Sequence, residues 1–229
     1  TTTFADGVLG AFWANGFFDI MADNLGAEAA NCYMNQIGAP EYVRLDNGST
    51  VINPNSPTQQ PAMLTQNNQN ATAGQNPLFY EWAYMYNLNN ISNSILKNID
   101  GITYTGDQDS KKNTLRAWAY WWKGYAYSRI GSVYYAGIIN NEVGAIVHDY
   151  SSHDAMIVES NANFDKAIAA LNAITDVNNY TTMMGKLIPS FNQVGKGAVP
   201  TIAMFTRNIN TMKARNLLVN TKASAMTPA

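Results

Sequence analysis

The stretch "LRAWAYWWKGYAYSRIGSVYYAG", Leu115 to Gly137, sets three Trp and five Tyr in one short run. At helical spacing Leu115, Trp118, Ala119, Trp122, Ala126, Ile130 and Val133 fall on one stripe, and Trp121, Tyr125, Ser128 and Tyr135 on a second. Two apolar stripes require neighbours on two sides, and the small residues Ala119, Gly124, Ala126 and Gly131 let those neighbours come close. The run therefore predicts a central helix from about Ser110 to Tyr135 whose rings are mostly core. An open sugar platform would instead need its rings on a single exposed surface. Tyr134 and Tyr135, at the mouth of the helix, are the accessible exceptions.

Outward from this helix the apolar residues recur at three and four, and β-branched alternation is scarce, so the fold class is all-α. A first helix is expected over about Phe4–Ala22 and a second over Pro77–Asn98, which opens on a Pro suited to the first turn and stops at Asp100-Gly101. Two more are expected over Ser152–Ile174, with Met156, Phe164, Ile168 and Leu171 apolar, and Val199–Asn220, with Ile202, Phe205, Ile209, Met212 and Leu217. The order is one lone helix followed by two helical hairpins in a single domain over residues 1–229. Residues 26–76 read as a long irregular loop, since "LDNGSTVINPNSPTQQPAMLTQNNQNATAGQNP" combines four Pro with turn dipeptides and amides.

Composition narrows the function. Of 229 residues 46% are hydrophobic, enough for a core, and only 13% are charged, so the surface is polar but nearly uncharged. A net charge of -2 without any basic block argues against a nucleic-acid partner. Cys32 is alone, which rules out an intrachain disulfide and a zinc site built on cysteines. No apolar run reaches the roughly 20 residues a bilayer crossing needs, and "TTTFADGVLG" lacks the basic start of a signal peptide.

Catalytic patterns are weak. The chain has no Gly-x-Ser-x-Gly elbow, no phosphate-cradling Gly-x-x-x-x-Gly-Lys-Ser/Thr and no Gly-x-Gly-x-x-Gly. His148, Asp149, His153 and Asp154 have the residue types of a metal cluster, yet they sit where a loop should cap a helix. Asp107 and Asp109 offer oxygen ligands without the Gly and terminal Glu of a calcium loop, and read as a solvated turn. Asp19 and Asp23, one helical turn apart, fit an acid/base pair and fit a helix surface equally.

Four segments carry a family resemblance: "NLNNISNSILKNI" at Asn87–Ile99, "KKNTLRAWAYWWKGYAYSRIGSVYY" at Lys111–Tyr135, "KLIPSFNQVG" at Lys186–Gly195 and "RNINTMKARNLLVN" at Arg207–Asn220. In this order they resemble the SusD/RagB family of surface-exposed outer-membrane lipoproteins of Bacteroidetes, which bind glycans. The resemblance covers essentially the whole chain but only the N-terminal part of a family member, so further helices are expected beyond "KASAMTPA". It implies a right-handed α-α superhelix of tetratricopeptide-like hairpins. It also implies a lipid anchor upstream of Thr1, an outer-membrane, cell-surface location and a SusC-like TonB-dependent transporter as partner. Non-catalytic capture of an oligosaccharide or polysaccharide follows, with no cofactor and no metal. Because the last helix lacks its next repeat, exposed apolar surface is expected over Arg207–Asn220.

Family sites are assembled on loops of the scaffold, which directs attention to "NQIGAPEYVRLDNG". Within it Tyr42 suits stacking on the C–H face of a sugar, while Arg44, Asp46 and Asn47 suit its hydroxyls. Trp82, near the start of the following helix, is a second platform. A purely structural reading stands beside this one: Tyr42 pins the loop, Arg44 pairs with Asp46, and Asn47-Gly48 is a turn. Two other functions compete, a peptide-binding helical scaffold and a hydrolase using Asp19, Asp23 or the His148–His153 group.

Overall fold

The computed structural model describes residues 40–52, 71, 77–188 and 198–226. The expected helix over Phe4–Ala22, with Asp19 and Asp23, lies outside them, as does Cys32. Described residues are mostly helical, in agreement with the apolar spacing. They form α1 (Pro77–Asn98), α2 (Gln108–Val133), α3 (His153–Asn172), α4 (Val177–Leu187) and α5 (Ile202–Asn220). Two short antiparallel strand pairs accompany them, β1 (Tyr42–Arg44) with β2 (Thr50–Ile52) and β3 (Ala136–Gly137) with β4 (Ser151–Ser152). The described residues fall into two compact units, one ending at Tyr84 and one starting at Met85.

In the larger unit α2 is the axis. Asp107 starts it: its carboxylate accepts from the Asp109 and Ser110 amides, 3.1 and 3.3 Å, satisfying donors that the first turn leaves without partners. The Ser110 hydroxyl first, then the Ser110 and Asp109 amides, hold the Asp107 carboxyl below its ordinary range. Leu115, Trp118, Ala119, Trp122, Ala126 and Ile130 are buried as one stripe. Trp121 and Tyr125 are half-buried on the second, so the rings of this helix are mostly core.

Contacts fix the direction of each neighbour. Gly124 lies against Phe164 and Gly131 against Ile157 and His153, while Asn113 Nδ2 reaches the Ala173 carbonyl at 3.3 Å, so α3 runs antiparallel to α2. A Cβ on Gly124 would stand 2.6 Å from the Phe164 ring and one on Gly131 2.8 Å from Ile157, which is why both positions must be small. Ser128 Oγ donates to Asn216 at 2.5 Å and Trp121 Nε1 to Asn208 at 2.8 Å, so α5 runs parallel to α2. On the other side, Lys123 meets Asn89 and Asn93 while Arg116 pairs with Asp100, an antiparallel approach of the second half of α1. Asn216 is fully buried and donates to Ser160 and Asn161 at 3.0 and 2.9 Å, tying α2, α3 and α5 together.

Three local expectations are corrected. The 26–76 segment is not irregular throughout, because Tyr42–Arg44 and Thr50–Ile52 form a hairpin around Asn47-Gly48. Residues of high strand propensity flank a turn whose Gly48 takes the left-handed φ of 81°. Between the helices expected over Ser152–Ile174 and Val199–Asn220 stands the unexpected α4. Asp176 caps it, and its Tyr180, Met183, Met184 and Leu187 bury one face at helical spacing. Finally, α2 stops at Val133, and Tyr134 takes an extended conformation, so Tyr135 leaves the second stripe and is 94% exposed.

Apolar burial also ends unevenly on α5. Phe205 and Ile209 are buried, but Leu217, Leu218 and Val219 face outward. The exposed apolar surface expected over Arg207–Asn220 is present.

Candidate ligand-binding site

The hairpin in the smaller unit holds four of the five sequence-selected residues. Successive strand residues point to opposite faces, so Tyr42 and Arg44 share one face of β1, opposite Ile52 and Thr50 respectively. Every residue of both strands is exposed, Tyr42 at 59%. Arg44 and Asp46 form no ion pair with each other, so the guanidinium keeps its planar donor fork. Asp46 and Asn47 occupy the turn, which closes through Leu45 N to Ser49 O and Gly48 N to Leu45 O, both 2.8 Å. Asn47 Oδ1 is committed to that turn, accepting from Ser49 N at 2.9 Å and from Ser49 Oγ at 2.6 Å. Trp82 lies on the first half of α1, half-buried. The arrangement thus offers a ring face and a fork of donors side by side, with a carboxylate at the adjoining turn.

The other candidates sit elsewhere. His148 and Asp149 are exposed on the loop before β4, and His153 opens α3, its Nδ1 3.4 Å from Asp154 Oδ1. Among the described residues no three His, Cys, Asp or Glu side chains converge on a point that could hold a metal. Asp107 is occupied in capping, as above.

Two features escaped the sequence reading. Trp118, Trp121, Trp122, Pro200, Met204, Phe205 and Asn208 line a cleft of about 210 Å³ between α2 and the start of α5. There Trp121 stacks on Tyr125 at 5.6 Å with the rings 6° from parallel. The rings were legible, but Asn208, which accepts the Trp121 N–H, comes from 87 positions away. The second feature is Lys123, 2% exposed inside the aromatic run. Its ammonium donates to the side-chain oxygens of Asn89 (3.0 Å), Asn141 (2.8 Å) and Asn93, one acceptor for each of its three protons.

Around this amine the Tyr127 hydroxyl donates to the Asn140 carbonyl at 2.8 Å and accepts from the Asn140 amide at 3.1 Å. Tyr86 accepts from the Ile138 amide at 2.5 Å, so the loop after β3 is pinned to α1 and α2. Burial pushes the Lys123 amine down to about 8, with Glu159 opposing and Lys166 adding to the fall. Alongside lies a cavity of about 300 Å³ lined by Asn93, Leu96, Lys97, Asn141, Glu142 and Val143. A satisfied buried lysine of this kind fastens a loop; all three of its N–H donors are committed to asparagine oxygens.

Comparisons with protein-family models, with curated proteins and with solved structures return no match.

Proposed function

We propose that the chain is the non-catalytic glycan-binding part of a SusD/RagB-like protein, anchored by lipid at the outer-membrane surface and working with a SusC-like TonB-dependent transporter. The single observation behind the binding role is the exposed pair on one hairpin face, Tyr42 and Arg44, with Asp46 in the adjoining turn. A sugar ring presents an apolar C–H face to an aromatic ring and hydroxyls to charged donors and acceptors, and this face supplies both. Antiparallel pairing of α1 with α2 and of α2 with α3 supports a scaffold of tetratricopeptide-like helical hairpins.

A glycan array probed with the purified chain, together with an assay for released reducing ends, tests this reading. Binding to at least one oligosaccharide without release of reducing ends supports it. Turnover that is lost in His153→Ala assigns a hydrolase instead, and an array without any binder refutes glycan capture.

A protein-interaction scaffold is favoured by a different observation, the exposed Leu217, Leu218 and Val219 on α5. Pull-down by the transporter alone, with no glycan bound, would select that reading.

A further inference from the structure

We propose that Asn47 is a site of self-modification, in which the Gly48 backbone nitrogen attacks the Asn47 side-chain amide, closes a succinimide and expels ammonia. Three observations meet at this turn. Gly48 carries no side chain to crowd its nitrogen, and beyond its chain neighbours nothing lies within 4 Å of where a Cβ would stand. Residues 45–49 are all exposed, so water and base reach the amide. Most specifically, Asn47 Oδ1 already receives two hydrogen bonds, from Ser49 N at 2.9 Å and Ser49 Oγ at 2.6 Å. Attack at Cγ drives negative charge onto that same oxygen, and donors in place before the charge develops stabilise it.

The step balances without any oxidant or reductant. The Gly48 N–H proton passes to solvent base, an N–Cγ bond forms and the Cγ–Nδ2 bond breaks. The departing nitrogen takes up a proton and leaves as ammonia. Water then opens the ring at either carbonyl, giving aspartate or isoaspartate at this position. One native contact must be released first, the Gly48 N–H to Leu45 O bond of 2.8 Å, which belongs to an exposed turn. Aspartate places a second carboxylate beside Asp46. Isoaspartate lengthens the backbone inside the turn and removes the closure that sets Arg44 opposite Thr50. The chemistry does not depend on what the hairpin binds, but it would dismantle the face that carries Tyr42 and Arg44.

The test follows conversion at Asn47 by peptide mapping and mass spectrometry of the full chain held at mildly alkaline pH, as wild type, Ser49→Ala and Ser49→Thr. The chain's other Asn-Gly pair, Asn15-Gly16, is read in the same digest as a reference. Loss of the hydroxyl donor in an exposed turn should slow conversion roughly three- to tenfold in Ser49→Ala. Ser49→Thr, which keeps the hydroxyl, should retain the wild-type rate. In urea the ratio of wild type to Ser49→Ala should fall to about one, because the geometry is gone. Equal rates for wild type and Ser49→Ala in the folded chain would overturn the proposal. So would a folded wild type that stays intact at Asn47 while the unfolded chain converts.

Discussion

Replacing Lys123 with Met keeps the aliphatic stem and removes the ammonium, and its consequence is a change in how stability depends on pH. In the folded chain the amine titrates at about 8, against 10.5 for an unburied lysine. Between those values the unfolded chain holds a proton that the folded chain has released, so stability must rise with pH there. The rise is bounded above by the tyrosines. Burial pushes Tyr86 up to about 12 and raises Tyr127 and Tyr180 as well, so each stays protonated in the fold while the unfolded chain ionises near 10.0. Stability is therefore lost again above pH 10. Wild type should gain about 1 kcal/mol between pH 8 and about 9.5, where the rise from the amine is already partly offset by tyrosines ionising in the unfolded chain. Urea unfolding followed by Trp fluorescence measures this, because Trp118 and Trp122 are buried in the same unit. Lys123→Met should abolish that rise and leave only the decline from the tyrosines. A wild-type profile with no rise, or a variant that keeps it, would refute the idea that this amine is held charged at a desolvation cost.

Other perturbations follow from the packing of α2. Asn216→Leu strips Ser128 of its acceptor and Ser160 and Asn161 of a donor, and should cost about 2–4 kcal/mol by chemical denaturation. Gly124→Ala drives a methyl into the Phe164 ring and should cost about 1–3 kcal/mol, whereas an unchanged melting curve would mean that the α2–α3 spacing is not set there. Leu218→Ser, on the exposed end of α5, should leave stability within about 0.5 kcal/mol, and a large loss would show that this end is covered in the isolated chain.

How far the chain could be read depended on whether a property was local. Burial of Trp118, Trp122 and Ile130 follows from a 3.6-residue period, and the close approach at Gly124 and Gly131 follows from side-chain size, so both were visible in the string of residues. Lys123 was not, since its oxygen partners lie 18, 30 and 34 positions away and only the fold brings them to one point. Helix α4 hid because eleven residues give too few turns to establish a period against the loops around it. The hairpin had its signal in Asn47-Gly48 between Tyr-Val-Arg and Thr-Val-Ile, yet the Pro- and amide-rich residues that follow outweighed it. In the candidate site, residue chemistry singled out Tyr42 and Arg44, but their placement on one face required the strand.

The most direct measurement is a calorimetric titration of the chain with the oligosaccharide selected on the array, in wild type, Tyr42→Ala and Arg44→Ala, with melting temperatures taken in parallel. Because both side chains are exposed, neither substitution should move the melting temperature. Loss of ring stacking should weaken binding roughly three- to tenfold in Tyr42→Ala, and loss of the guanidinium donors should weaken it in Arg44→Ala as well. Affinities equal to wild type in both variants, with the melting temperature lowered, would return Tyr42 and Arg44 to the structure of the loop and contradict the account.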